Sequence, residues 1–467
     1  MFYQWVSDNL NVAGQAVQEY WSHCEGLEFF SRLNLKKEDY ATCIPVYWHM
    51  DGVKVYKNQK AWIYSFCSAT RKGLSTETKL VFTLVRDTIV QKHSTHDEIA
   101  KRIGYCMSVL ETGRFPHVDE YGRPFPQSSA QASRAGSCYA GGWTARFAGF
   151  KADWEGRVVA HKFERNYSAH NICEKCSATR ANFGNFNDDA AYMGTRRSFD
   201  EYVHSCSARR LSAWVNVRGW CPDRNLEGVA MVAIASCLCE DLEEKDPHQT
   251  LAQLEKRMGE ELWNSYKSWC AAHRKTPCSH RFNLARLGRE QWNAFPEMGS
   301  TYKGAVIKDM IYWSAAYLWQ QQGTTPGSNL RCHAMHALAT FQKKIDENPG
   351  FFNRRVARET ANYARVFLLF YQRLAADDRA KFGEVRRCYK LTPKFHCMVN
   401  LAEYIEHSCR NPRFEHCYAE EDLTRQIGRV ASATHPRTMD YTTLHRYRAL
   451  LQLTGVFRSQ AAGGPRR

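Results

Sequence analysis

No stretch of this chain is apolar for long enough to span a bilayer. The longest, Gly228 to Cys239 (GVAMVAIASCLC), falls short of the about 20 residues a membrane helix needs, so it reads as a buried helix and no membrane partner is expected. The N-terminus, MFYQWVSDNL, lacks a basic start followed by an apolar core. No signal peptide is therefore read, and the chain is expected to be intracellular. No internal repeat is found, which leaves no basis for a solenoid or propeller. Acids are short as well: 48 Asp and Glu face 64 Lys and Arg, a formal net charge of +16. That deficit points to polyanionic partners, nucleic acid first. The positive charge is scattered along the chain and not gathered in one amphipathic helix, which argues against an anionic membrane surface. With no secretion signal, the 18 cysteines are expected to be reduced thiols, some of them candidate metal ligands, and not a disulfide framework.

What is present supports real cores. The chain has 467 residues, 44% of them hydrophobic, enough for two or three domain-sized units or for one domain with a large insertion. The organising stretch is Ile44 to Thr70, IPVYWHMDGVKVYKNQKAWIYSFCSAT. Ile44 to Met50 reads as a buried strand, Asp51-Gly52 as its end, Val53 to Tyr56 as an alternating continuation, and Ala61 to Cys67 as a returning strand. A carboxylate at a sheet edge is held by rigid backbone, which suits a metal ligand such as Asp51. The competing reading is a hairpin turn, because Asp-Gly is also the strongest two-residue turn signal. A third strand follows at Lys79 to Val85. A helix spans Thr95 to Leu110, with Ile99, Ile103, Met107 and Leu110 in phase, and a fourth strand, Trp143 to Lys151, leads into Asp153. Three antiparallel strands, a helix and another strand, with one acid on the first strand and one just past the fourth, is the order of a ribonuclease-H-like fold. Asp153 is also a strong N-cap candidate for a helix over Trp154 to Glu164. Capping and metal binding are compatible.

The expected class is thus α/β, a ribonuclease-H-like mixed sheet interrupted by a large all-α insertion. Residues 1–40 form a helical leader (Val12 to Phe30), 41–165 the first part of the core, and 166–225 a loop-rich segment. In that segment Cys173 and Cys176, with His204 and Cys206 further on, supply the soft ligands of a candidate Zn²⁺ clip. Residues 226–410 read as helices at Gly228 to Glu243, Thr250 to His273, Lys303 to Gln322, Asn329 to Asn348, Arg354 to Ala376, Arg379 to Tyr389 and Phe395 to Ser408. Residues 411–455 return to core helices and 456–467 are a basic tail. A two-metal site needs three or four carboxylates around ions about 3.5 to 4 Å apart. The Glu420-Glu421-Asp422 cluster at the start of the last long helix supplies the third. Helical phase puts Glu420 beside the apolar stripe of Leu423, Ile427 and Val430 and Glu421 nearly opposite, and both are retained as candidates.

Several segments together, Trp48 to Lys57, Gly149 to Trp154 with its KADW, ICEKC at 172–176, Ser300 to Trp313, and Pro393 to His435 (PKFHCMVNLAEYI, then NPRFEHCYAEEDLTRQIGRVASATH), resemble the Kyakuja-Dileera-Zisupton and Plavaka-like group of eukaryotic DDE transposases and related multicopy protist proteins. The resemblance covers most of the chain from Ile44 to Leu453. It implies Asp51 and Asp153 as the first two catalytic acids, Glu421 as the helical one, Mg²⁺ (or Mn²⁺) as cofactor, and DNA cleavage and strand transfer as activity. It further implies DNA as partner, a nuclear location, and self-association as a homo-oligomer. Lys151, Arg157, Arg425 and Arg429, next to the acids in sequence, become candidates for DNA-backbone contact. Lys394 and His396 of PKFH join them, with a helix start and a buried histidine as their plainer reading. The sequence departs from the group after Gly219-Trp220, where no histidine follows, and it shows no DNA-reading motif in its first 40 residues. The alternative expectation is a catalytically inactive relic acting as a DNA-binding or scaffold protein.

Overall fold

In the computed structural model of the chain, residues 13–27, 30–56, 59–70, 75–91, 94–138, 141–161, 163–198, 201, 227–299, 301–302, 304–414 and 418–453 are described. A helix α1 (Ala13–Cys24) precedes the apolar run at Ile44. That run passes through Asp51 and Gly52 without a break and makes one 14-residue strand, β1 (Cys43–Tyr56). A hairpin at Asp51-Gly52 does not form. Asp51 pairs with Ile63 and Gly52 with Trp62 inside an antiparallel ladder with β2 (Gln59–Ser68), and Gly52 lacks the positive φ that such a turn demands. The dipeptide is flanked on both sides by strand formers that find partners in the aromatic run of β2, so the ladder prevails over local turn preference.

β3 (Lys79–Arg86) pairs antiparallel with β2, and β4 (Thr144–Lys151) pairs parallel with β1, giving a mixed sheet of order β3-β2-β1-β4. A parallel pair needs a crossover. Here the crossover contains α2 (Thr95–Thr112), which stops at Gly113 in the left-handed region (φ 63°). On β2, Tyr64 and Cys67 lie three residues apart and so face opposite sides of the sheet. The Tyr64 side is covered by α2, where the Tyr64 hydroxyl meets His96 Nδ1 at 2.6 Å. After β4 comes the short helix α3 (Trp154–His161).

The chain divides into two compact units. One holds Met1–Glu164, Arg197–Asp223 and Phe414–Arg467, and the other Arg165–Arg196 and Arg224–Arg413. In the second, every regular element among the described residues is a helix: α4 (Glu227–Lys245), α5 (Leu251–Arg257) joined by a π-helical turn to α6 (Trp263–Ala272), α7 (Gly304–Gln320), α8 (Ser328–Glu347), α9 (Arg354–Phe382) and α10 (Pro393–Ser408). The apolar run Gly228 to Cys239 lies inside α4 and is buried in this unit's core. The two helices expected at Arg354 to Ala376 and Arg379 to Tyr389 are corrected to the single α9. Asp377 and Asp378 do not break it, and it ends at Gly383, whose N–H returns to Arg379 O. Residues 165–196 carry no helix or strand, only an isolated bridge between Asn171 and Thr179, yet bury Ile172, Phe186 and Tyr192 in the same core. No helix among the described residues is long and apolar enough to cross a membrane.

The first unit is completed by α11 (Tyr418–Ser432) and α12 (Met439–Leu453). Leu423, Ile427 and Ala431 give α11 an apolar stripe buried against the Cys67 side of the sheet. The helix follows β1: Gly428 lies against Val53, Tyr56 Oη donates to Ala431 O at 3.0 Å, and Ser432 Oγ donates to Val55 O. α12 closes over β3, with Tyr447 Oη donating to Lys79 O at 3.1 Å and Arg86 paired to Asp440 at 2.9 Å.

Candidate functional site

The parallel register of β1 and β4 sets His49 opposite Lys151. The strands run side by side in one direction, so two residues further on each chain Asp51 and Asp153 stand at the same level. Asp51 Oδ1 accepts the Gly52 N–H at 2.7 Å. Asp153 Oδ1 accepts the Gly156 N–H at 2.6 Å, which is the N-cap expected for α3. A Cβ on Gly156 would stand 3.0 Å from Met50 O and 3.0 Å from Asp153 Oδ1, so the closeness of α3 to β1 depends on glycine there. The third acid comes from the first turn of α11. Burial pushes the Asp51 carboxyl up to about 7, helped by the charge of Asp153 and less strongly by that of Glu421, while the Gly52 amide and the Lys60 ammonium pull it down. Asp153 and Glu421 are therefore each near enough to Asp51 to repel its charge. The three acids are spread more widely than a single ion's shell: among the described residues, they do not form a group whose ligand atoms all lie within 4.8 Å.

Glu420, one residue earlier, does something else. It is buried, and its Oε1 receives Lys79 at 2.8 Å and Lys151 at 3.2 Å, with the Cys67 thiol at 3.7 Å. Burial alone would raise this carboxyl, but Lys151, Lys79 and His49 hold it far below the usual carboxylate range. The helical phase that set Glu420 beside the apolar stripe is what gives it this inward partner set, and Glu421 is left to the aspartates. Burial likewise drives the neighbouring His49 imidazole down to about 4; Glu420 raises it, and Lys151 and Lys79 lower it.

Lys151 thus points inward, over the Tyr47 ring at 4.6 Å, and not toward a phosphate backbone. Arg157 is also buried, 6.0 Å from the Phe163 ring centre. Both expectations of DNA contact are corrected for this reason: Lys151 shares the face of His49 that α11 covers, and α3 turns Arg157 into the interior. Arg425 and Arg429 are exposed. With Lys54, Val53, Gly428, Ser432 and Ala433 they line a shallow groove that begins two residues beyond Asp51 on β1. Lys60 was not anticipated. Its chain arches over Gly52 with Nζ 2.8 Å from Glu155 and 4.2 Å from the Trp62 ring centre. Its ladder pairing with Lys54 becomes readable only when the turn is moved from Asp51-Gly52 to beyond Tyr56.

In the helical unit Lys394 is exposed on the first turn of α10. His396 is buried, with Nε2 3.2 Å from Cys176 Sγ and the ring edge-on to Tyr192 at 4.7 Å. A phosphate contact from His396 is corrected accordingly, since the ring has no route to solvent. Cys173, Cys176 and His396 are all buried and their ligand atoms all lie within 4.8 Å of one another, so the group can hold a metal ion. Burial would raise the Cys173 thiol, but hydrogen bonds from Cys176, His396 and Asn400 hold it well below its ordinary value. His204 and Cys206, expected beside the cysteine pair, lie outside the described residues, as do the Gly219-Trp220 region and the basic tail. His396 comes 220 positions after Cys176, so no local spacing announces it. No known family model, curated protein or solved structure matches this chain.

Proposed function

We propose that this chain is a transposase-derived DDE/D-type protein, built on a ribonuclease-H-like sheet with an all-α insertion between its second and third acids, that cleaves DNA and transfers its strands. The observation that carries the proposal is the convergence on Asp51, within β1, of Asp153, two residues past the end of the parallel neighbour β4, and of Glu421, on a helix from the far end of the sequence, both close enough for their charge to raise the Asp51 carboxyl. The strand order β3-β2-β1-β4 supports the same assignment. Three hard oxygen donors, two of which raise the proton affinity of the third, Asp51, suit Mg²⁺ or Mn²⁺ in chemistry. Such ions, when bound, sharpen a water or 3′-hydroxyl as nucleophile and offset charge on the leaving oxygen.

The chain's own residues do the positioning. Asp51 stands on β1 and Asp153, just past the end of β4, is held by the Gly156 N–H as the cap of α3, so both keep their oxygens in place with little freedom. Glu420, tied to Lys79 on β3 and Lys151 on β4, anchors the first turn of α11 and thereby fixes where Glu421 stands. Lys54, Arg425 and Arg429 along the groove attract the phosphodiester backbone and set its direction, without reading sequence. The full chain should nick or join DNA with Mg²⁺, and Asp51→Asn or Asp153→Asn should abolish this while leaving the fold intact. Undiminished cleavage by Asp51→Asn would rule the proposal out.

A second proposal, the non-catalytic relic, starts from the same geometry: among the described residues the three carboxylates do not form a group whose ligand atoms all lie within 4.8 Å of one another. A two-ion site spreads its ligands over ions about 3.5 to 4 Å apart, so the spacing fits either. The relic binds DNA through the same groove but leaves it uncut at any Mg²⁺ or Mn²⁺ concentration.

A further inference from the structure

We propose that Cys173, Cys176 and His396 together bind a structural zinc ion that fastens residues 165–196 to α10. The inference is independent of DNA chemistry, and its test reads metal, not cleavage.

The donor set comes first. Two thiols and one imidazole are soft to borderline ligands, which favours Zn²⁺ over the hard ions suited to carboxylates. With Zn–S near 2.3 Å and Zn–N near 2.0 Å, tetrahedral geometry puts neighbouring ligand atoms about 3.5 to 3.8 Å apart. The three atoms here already lie within 4.8 Å of one another, and the Cys176–His396 pair is at 3.2 Å. Only small side-chain adjustment separates this arrangement from a coordination shell.

The surroundings are built for sulfur that carries charge. The Lys175 N–H donates to Cys173 Sγ at 3.3 Å and the Ala178 N–H to Cys176 Sγ at 3.4 Å, while Asn400 Nδ2 donates to Cys173 Sγ at 3.4 Å. Backbone amides two residues past each cysteine thus turn toward its sulfur, and a side-chain amide on α10 adds a third donor. Such donors support ligating thiolates and fix their direction. Core filler would not need them: a cysteine kept only for packing behaves as a small apolar side chain. His396 adds a second sign. It is 1% exposed, its Nε2 faces sulfur, and its Nδ1 has no hydrogen-bond partner. A buried imidazole whose Nε2 faces only sulfur and whose Nδ1 has no partner is poorly compensated in the metal-free protein, and coordination through Nε2 replaces the weak sulfur contact with a metal bond.

The placement explains why a clip would be useful. Residues 165–196 contain no helix or strand but must bury Ile172, Ala178, Phe186 and Tyr192 in the helical core. A bond from this segment to α10 closes a loop of 220 positions, and the chain entropy of that closure is carried by the metal and not by packing alone. Binding forms two Zn–S bonds and one Zn–N bond, and the protons of the two thiols leave to solvent. A water or another side chain completes the tetrahedron.

The test is metal analysis of the purified, reduced full chain, followed by exchange with Co²⁺ and an absorption spectrum. About one zinc per chain is expected, together with an intense thiolate-to-cobalt band in the near ultraviolet. Cys173→Ser and Cys176→Ser should each bring zinc close to zero. His396→Cys, which restores a ligand, should retain zinc and strengthen the cobalt band. The cobalt spectrum of the unmutated chain guards against a variant that merely fails to fold. Failure of the unmutated chain to hold zinc or develop the cobalt band would overturn the proposal. So would copper in place of zinc, a Cys173–Cys176 disulfide as the ground state, or zinc unchanged in the serine variants.

Discussion

Two neighbouring glutamates take opposite roles because a helix turns about 100° between them. Glu420 faces the sheet and neutralises two buried lysines, while Glu421 adds negative charge beside Asp51. Removing one partner of a buried ion pair leaves the others uncompensated, so Glu420→Gln should destabilise the protein by about 3 to 5 kcal/mol. Glu421→Gln relieves the repulsion of Asp51 and leaves the two buried lysine pairs of Glu420 in place, so it should cost less than Glu420→Gln. Urea unfolding midpoints decide between them, and equal losses would contradict the division of labour. A second contrast lies in pH. The Asp51 carboxyl rises from 3.8 to about 7 on folding, so across that window the folded chain holds the extra proton and stability grows as pH falls. The His49 imidazole falls from 6.5 to about 4, so there the unfolded chain holds the extra proton and stability drops as pH falls. The two trends oppose each other in the unmutated protein. In chelator-treated samples Asp51→Asn should leave a chain that weakens from pH 6.5 toward 4, and His49→Gln one that strengthens from pH 7 toward 4. In full, the Asp51 slope amounts to roughly 4 kcal/mol and the His49 slope to roughly 3 kcal/mol. Unfolding midpoints across that range check the sign. Residue types alone did not disclose this: Lys151 looked like a surface cation in sequence, and only its register with His49 turns it inward.

At the scale of elements, the strands were legible because alternation and aromatic content fix both their place and their faces. The four expected strands are present, and the turn signal at Asp51-Gly52 failed because pairing with β2 outweighed it. Helix existence was legible too. Helix ends were less so, as the fused α9 shows, because an acidic pair lowers helix propensity without supplying the left-handed stop that Gly383 provides. Two close approaches were invisible in sequence. Ala at position 156 would favour helix by up to about 1 kcal/mol, yet its Cβ would meet Met50 backbone oxygen at 3.0 Å. Gly156→Ala should therefore destabilise by about 1 to 3 kcal/mol and loosen the Asp153 cap. Gly428→Ala would meet a methyl of the β-branched Val53 at 2.7 Å, and because valine is stiff at χ1 it should destabilise by about 1 to 3 kcal/mol as well. Thermal unfolding of both variants checks this, and a midpoint unchanged in either would contradict the close approach at that glycine.

For the whole molecule, the proposed DNA contact rests on the part of the excess positive charge that lines the Lys54, Arg425 and Arg429 groove. Arg425→Ala and Arg429→Ala should each weaken DNA binding for all sequences alike and reduce the salt slope by about 1. Fluorescence anisotropy at several salt concentrations reads both effects. A groove with no role in DNA binding would show neither. What the sequence could not reveal at this scale is long-range convergence. The first two acids follow from strand order, but Glu421 is separated from them by the whole helical unit, and His396 joins Cys173 and Cys176 only through the fold. Such meetings depend on packing of distant segments and leave no local pattern.

The claim on which the rest depends is that Asp51, Asp153 and Glu421 jointly bind divalent cations, and manganese uptake followed by loss of the free-ion paramagnetic resonance signal tests it without requiring DNA or turnover. The full chain should take up Mn²⁺, and Asp51→Asn, Asp153→Asn and Glu421→Gln should each lose most of that uptake. Cys173→Ser, remote from the carboxylates in chemistry, should keep it. Absence of uptake by the unmutated chain, or uptake indifferent to all three acids, would contradict the account.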